Sequence, residues 1–354
     1  MAIELTPPDV SRFRIRTRTF EDGLGVRVCA FDHAVGQLVE VLCLRPALAA
    51  TPGFEFALRE RTAALKGLRG QSLSRVRRAE RLSDPASSLA VTSEWVAGVR
   101  LSHVLDLAEQ RRVGIDLDGA LYVIRELLRA VRVLHGVAPE VAHGALAPER
   151  LIVTSEGRLV VAEYVLGSAL QQLQFTRLRL WQDLHIGMPA AAGQVRFTQR
   201  GDVTQIGLVA LSLVLGRQLT AYEYPNGLDG LLNLTLEASL SPDQRPRLPA
   251  LRVWLRRALQ IDLRWAFASA RPAEIALEET LLGVGATDVS PAGIRRLLAR
   301  CGLGDARGPQ SGPEVDRPGA DGAAVTARAA ANKAGRKPAR GRRIRWGRVV
   351  LLVA

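Results

Sequence analysis

Strand-like segments come first in this chain and helix-like segments after, and that order restricts it to two lobes of different character. Residues 13–50 alternate apolar and polar side chains with Gly and Asp breaks, the pattern of a twisted antiparallel meander. Val26, Val28 and Ala30, then Leu38–Leu44, then Leu89–Val96 read as strands, with a helical period over Phe54–Leu68 between them. The character changes from Leu101. Leu121, Ile124, Leu127, Leu128, Val131 and Leu134 form one apolar stripe on a helix over Leu117–Leu134. Leu151–Val153 and Leu159–Val161 read as a short hairpin through Ser155-Glu156-Gly157. Ile206–Leu215 is apolar almost all round and reads as a buried central helix, followed by helices over Leu251–Leu259 and Ala273–Leu282. The class expected is α+β in two lobes.

The chain has 354 residues, 47% of them hydrophobic, enough for a bilobal domain with its own core and a tail. Its net charge of +13 is unevenly placed. Nine basic residues and no acidic one lie between Arg328 and Arg348, and the rest of the chain carries only +4. The charge therefore belongs largely to the tail and is not read as the nucleic-acid footprint of a folded domain. Cys29, Cys43 and Cys301 have no paired or metal-ligand spacing, and the histidines do not cluster with them. The N-terminus lacks the basic start and apolar run of a signal peptide, and no stretch before the C-terminus is apolar for the ~18 residues of a membrane span. The last residues, Arg345–Ala354, join a basic cluster and Trp346 to a short apolar run. This reads as the start of a transmembrane helix, with the basic residues holding the domain on the cytoplasmic side; a simple hydrophobic end is the other reading.

The stretch His143-Gly-Ala-Leu-Ala-Pro-Glu-Arg-Leu-Ile-Val153 resembles, without a gap, the catalytic loop of protein kinases, His-Arg-Asp-Leu-Lys-Pro-Glu-Asn-Ile-Leu-Val. Over about residues 13–283 the chain resembles the bacterial, eukaryotic-like Ser/Thr protein kinases, as a degenerate member. The resemblance implies a bilobal protein-kinase-like fold, with a β-rich N-lobe and a helical C-lobe, and a disordered basic C-terminal tail. Its expected parts are an N-terminal extension (1–12), the N-lobe (13–96), the C-lobe (97–283), a short helical extension (284–304), a Gly/Ala/Pro/Arg-rich linker (305–344) and the apolar end (345–354).

Residue by residue, the resemblance implies that the reactive groups are gone. The catalytic Asp position is Ala145, the loop Lys position is Ala147, and the metal-binding Asn position is Arg150. Val39-Glu-Val-Leu-Cys-Leu-Arg-Pro46 matches Val-Ala-Val-Lys-Val-Leu-Arg-Pro, which puts Leu42 at the strand Lys. Its partner Glu is kept as Glu60 and must find another cation or face water. The Gly-rich loop aligns with Phe20-Glu-Asp-Gly-Leu-Gly25, where Phe20 blocks a phosphate and Glu21 and Asp22 repel one. The metal-binding Asp-Phe-Gly aligns with Glu163-Tyr164-Val165. Arg150 is expected to pair with Glu163, its guanidinium standing in for Mg²⁺, with two separately solvated charges as the other reading. Gly144 replaces the Arg that reads activation-loop phosphate. Met188-Pro189-Ala190 and Ala266 have lost both partners of a further ion pair, with Arg264 two residues early.

The positions that hold the frame are kept. Asp202 matches the residue that caps the catalytic-loop backbone, Glu94-Trp95-Val96 with Gly98 and Leu101 matches the hinge between lobes, and His143 and Tyr164 match two hydrophobic-spine positions. The activation segment, 166–187, is unusually apolar and is expected to be packed down or to form a partner surface. What the resemblance then implies is a pseudokinase: a scaffold or allosteric module with a protein partner and possible membrane attachment beyond residue 345. No catalytic, nucleotide-binding or metal residue is assigned, ATP and Mg²⁺ binding are expected to be lost, and no specific nucleic acid is expected. Two alternatives stay open: a divergent kinase or nucleotide transferase binding ATP weakly through Glu163, and anionic-lipid or nucleic-acid binding through the tail.

Overall fold

The computed structural model describes residues 12–304, except 84–86, 190–194, 237–241, 243 and 284–288. The first lobe is a five-stranded antiparallel sheet in the order β1-β2-β3-β5-β4, formed by β1 (Phe13–Glu21), β2 (Gly25–Asp32), β3 (Gln37–Leu44), β4 (Val76–Arg81) and β5 (Leu89–Glu94). Helix α1 (Phe54–Leu65) buries Phe54, Leu58 and Leu65 in the core that also holds Leu42, Leu44, Leu89 and Val91. β4 is a strand that hydrophobic alternation does not reveal. Its sequence, Val-Arg-Arg-Ala-Glu-Arg, holds one large apolar residue, and edge strands tolerate such charge.

The second lobe is helical. A small sheet of β6 (Val99–Arg100), β7 (Leu151–Val153) and β8 (Leu159–Val161) lies at its top, below the sheet of the first lobe. The two lobes are stitched there by backbone hydrogen bonds, Ser74 N–H to Val161 O at 2.9 Å and Val161 N–H to Ser72 O at 2.8 Å. Helix α2 (Leu101–Gln110) leads into α3 (Leu117–His135), whose first turn is capped by the Asp116 carboxylate and whose expected apolar stripe is buried throughout. Two short helices follow β8, α4 (Gly167–Gln172) and α5 (Arg177–Leu184). Helix α6 (Gln199–Leu215) is the buried centre of the lobe; Thr198 caps it and Gly216, in the left-handed region, ends it. α7 (Leu248–Ala258), α8 (Ala270–Gly283) and α9 (Ala292–Arg300) complete the lobe. Among the described residues no helix is long and apolar enough to cross a membrane. The linker and the apolar end, 305–354, lie outside the described residues.

Candidate functional site: the cleft between the lobes

The loop 143–150 hangs from α6 by its backbone. The Asp202 carboxylate accepts from the backbone N–H groups of His143 and Gly144, both at 2.7 Å, and lies 2.8 Å from His135 Nε2. One turn on, the Gln205 amide accepts from Leu146 N–H at 2.7 Å and donates to Gly144 O at 3.2 Å. His143 is fully buried. Its Nε2 lies 3.0 Å from Ala162 O and its Nδ1 accepts from Ala145 N–H at 3.2 Å, an arrangement that asks for the neutral Nε2–H tautomer. Burial pushes its pKa down in the same sense. Gly144 has φ of 75°, and a Cβ there would lie 2.7 Å from the Gly167 backbone, so no longer side chain can replace it without moving α4. Ala145 and Ala147 are both buried.

The cleft above this loop is filled by charged side chains that pair with one another. Antiparallel pairing of β2 and β3 sets Arg27 directly opposite Leu42, so their side chains leave the same face of the sheet. Leu42 goes into the core, and the cation comes from Arg27, which is 0% exposed. Its Nε and Nη2 donate to the two oxygens of Glu163 at 2.6 and 2.7 Å, and its Nη1 donates to Asp22 at 2.6 Å. Asp22 is shared: its other oxygen accepts from Arg150 Nη2 at 2.9 Å. Arg150, also 0% exposed, donates from Nη1 to Leu184 O at 3.1 Å. A second buried pair, Arg100 and Glu40 at 2.5 Å, adjoins the first, with Arg100 lying 3.7 Å from Glu163. At the mouth, His185 Nδ1 lies 2.5 Å from Glu149, whose other oxygen is 3.5 Å from Arg150.

Electrostatics keep Glu163 and Asp22 charged. Burial alone would raise the carboxyls, but Arg27, backed by Arg100 and Arg150, holds Glu163 below the usual carboxylate range. Arg150 and Arg27 likewise outweigh the burial of Asp22 and hold it at about 2. Glu163 sits in the left-handed region, with φ of 64°. Both of its oxygens accept from Arg27. Among the described residues no group of three or more His, Cys, Asp or Glu is placed to hold a metal ion.

The turn between β1 and β2 is clamped onto α5. A Cβ on Gly23 would fall 1.8 Å from the Asp183 carbonyl oxygen, so only glycine allows the approach. Beneath, Leu180, Trp181 and Leu184 are buried, and the Trp181 ring lies 4.8 Å from that of Tyr224. The apolar segment 166–187 is thus packed down, as two helices; Leu178 is its one large apolar side chain left exposed.

No family model matches the chain. Over 120 residues it is 30% identical to the serine/threonine-protein kinase CHK1 of Saccharomyces cerevisiae, which covers 32% of this chain and 22% of that protein. Over 128 residues it is 23% identical to the probable serine/threonine-protein kinase PknB of Lactococcus lactis, covering 36% of this chain and 20% of that one. The chain thus spans about a fifth of the curated relatives it matches. Solved structures of the Mycobacterium tuberculosis PknI kinase domain superpose on it along most of their length. One, a double mutant, gives a TM-score of 0.57 at 18% identity over 76% of this chain and 96% of that chain; another gives 0.56 at 18% over 79% and 99%.

The fold is that of the bacterial eukaryotic-like Ser/Thr protein kinases. Within it, Leu42, Ala145, Ala147, Arg150 and Glu163 all come to the kinase cleft or its floor. Glu60 does not: it points to solvent from α1 and has no ion-pair partner among the described residues, the second of the two outcomes open to it. Tyr164 is buried, and its hydroxyl accepts from Val76 N–H at 3.1 Å, joining the lobes. Ala190 lies outside the described residues; Ala266 is half-buried and Arg264 exposed. Arg150 and Glu163 do approach, Nε to Oε2 at 3.9 Å, but each has a closer partner, Asp22 and Arg27.

Sequence reasoning missed Arg27, Arg100, Glu40, Glu149 and His185, and it read Asp22 as a group that repels phosphate when its structural part is to bridge two arginines. One signal was available. An arginine between Val26 and Val28 on a strand with buried alternation has to be paired. Its partner lies 136 residues away, beyond the reach of any local pattern.

Proposed function

We propose that this kinase-like domain is a pseudokinase: it transfers no phosphate, no longer binds ATP and Mg²⁺, and works as a scaffold or allosteric module by engaging a protein partner. The observation that carries this reading is the bidentate Arg27–Glu163 pair, at 2.6 and 2.7 Å. Phosphoryl transfer in this fold depends on placing metal ions and a base around the phosphates. Here the carboxylate at the metal position is spent on an arginine of the N-lobe, Arg150 stands at the co-ligand position, and Ala145 stands at the base. Glu40 and Phe20 add bulk on the same face of the sheet. The names of the relatives favour a phosphorylating enzyme instead, and one pair of assays decides between the two.

Titration with ATP and Mg²⁺ up to millimolar concentration is expected to leave the melting temperature unchanged, and labelled ATP is expected to transfer no phosphate to the chain or to a basic protein substrate. A saturable, Mg²⁺-dependent rise in melting temperature would show that nucleotide binding persists. Label transfer above that of a heat-denatured control would sink the reading entirely. Membrane attachment through residues 345–354, with the domain at the cytoplasmic face, is the second part of the proposal. It is supported by the basic run that precedes the apolar end. Binding to anionic vesicles and to duplex DNA, with and without residues 328–354, tests it.

A further inference from the structure

Of the large apolar side chains exposed on the helical lobe, four lie on or between two neighbouring helices away from the cleft. They are Val253 on α7, Leu263 and Trp265 in the loop after it, and Ile275 on α8; Trp265 is 66% exposed and Val253 60%. A groove of about 360 Å³ runs between the two helices, floored by Trp254, with Ala250 and Ala276 among its walls. The small alanines leave room for a ridge of side chains from a further helix. Scattered exposed apolar residues are ordinary, but a tryptophan and an arginine beside an apolar groove match the composition at the centre of protein interfaces.

The charges around the groove give it a direction. Trp254 Nε1 donates to Ala273 O at 2.9 Å, and the Arg257 guanidinium lies 4.1 Å from the centre of the Phe267 ring while its Nε donates to Trp265 O at 2.9 Å. The end of α7 therefore lies beside the start of α8, with Arg257 at one end of the groove and Glu279 and Thr280 at the other. Neighbouring charges are already used: Arg256 pairs with Asp229, and Glu274 and Glu278 pair with Arg129. Among the described residues neither Arg257 nor Glu279 has an ion-pair partner.

We propose that this groove receives an amphipathic helix of a partner protein. Its apolar stripe lies on Val253, Ala250 and Ala276, with Trp265, whose carbonyl holds Arg257, beside it; a carboxylate on its flank meets Arg257, and a basic side chain meets Glu279. The inference rests on the scaffold reading only in supposing a partner at all. Apolar contact supplies the affinity, and the two rim charges, each weak at a wet surface, fix which way round the helix lies.

The test is a display library of amphipathic helical peptides with a fixed leucine stripe and randomised charged flanks, selected against the intact chain. Enriched peptides are expected to carry an acid and a base at opposite ends. They should bind Val253→Asp and Trp265→Ala at least about tenfold more weakly than the unmodified chain, and Phe56→Ala, on the other lobe, equally well. Selection against Arg257→Glu is expected to enrich a base where the unmodified chain enriches an acid. Val253 and Trp265 are both exposed, so an unchanged melting temperature certifies the variants as folded. A library that enriches no helix, or peptides that bind Val253→Asp undiminished, overturn the groove as the site. Peptides whose charge preference ignores Arg257→Glu overturn the orientation. Self-association of the chain that Val253→Asp abolishes would assign the face to a second copy and overturn the partner. None of these readouts involves nucleotide, so a chain that bound ATP would sink the preceding proposal and leave this one standing.

Discussion

The floor of the cleft and its interior are built from neighbouring residues, yet they are held together in opposite ways. On the floor, Asp202 and Gln205 hold the backbone of 143–146 through four hydrogen bonds that need no particular side chain in the loop except at His143 and Gly144. In the interior, the charged side chains of Arg27, Asp22, Arg150 and Glu163 bond to one another across the two lobes. A backbone scaffold tolerates changes in the loop's side chains because buried N–H groups must be satisfied whatever the loop carries. A charged cleft can survive only as a set, since removing one member strands the rest.

That difference is broken most sharply at Glu163. Glu163→Ala leaves Arg27 buried against Asp22 alone and is expected to cost about 3–5 kcal/mol by chemical denaturation. Replacing Arg27 and Glu163 together by Met and Leu is expected to recover most of that loss, because the desolvation of both charges is relieved. Two single variants whose losses simply added would mean that the pair is not coupled. Asp202→Ala tests the floor. It orphans two buried N–H groups, each costing about 1–3 kcal/mol, and here no second substitution in the loop can compensate, because the partners are backbone. A smaller effect is expected from restoring the family's arginine at position 144. Gly144→Arg meets both the positive φ and the Gly167 backbone, and a loss of about 1–3 kcal/mol is expected; a neutral result would show that α4 moves freely.

The floor was far more legible in the sequence than the interior. Asp202, His143 and Tyr164 sit in short motifs with fixed spacing, and the stripe of α3 and the all-apolar α6 declared themselves by period alone. The interior was not legible because its partners are set by the strand register. Arg27 faces the cleft because it opposes Leu42, and Asp22 reaches Arg150 because Gly23 seats the turn on α5. β4 was hidden for a related reason: its arginines satisfy neighbours such as Asp32, Glu55 and Glu94 rather than marking a buried face. The groove of α7 and α8 was equally invisible, since exposure of Trp265 is decided by the fold and not by local polarity.

The weakest predicted effect separates the mouth of the cleft from its interior by pH. His185 lies half in solvent. Its hydrogen bond to Glu149 raises its pKa, against the opposing pull of its partial burial and of Arg150. Asp22 also faces it and favours the charged ring. A base with a raised folded pKa contributes stability that is complete below its unfolded value of about 6.5 and fades as the pH climbs through the folded one. Asp22 behaves in the opposite sense. Its pairs contribute fully above about pH 4 and are lost only as the pH falls toward its own value of about 2. Protonated His185 also balances the cluster, giving four cations against Glu163, Asp22, Glu40 and Glu149. Comparing the unmodified chain with His185→Gln by denaturation across neutral pH should therefore show a difference that shrinks from mildly acidic to mildly alkaline conditions. Because the ring is more than half exposed, solvent screening limits that difference to under about 1 kcal/mol. A difference that grew with pH would mean that the neutral ring is the one the cleft prefers, and that the excess negative charge at Glu149 is met entirely by Arg150.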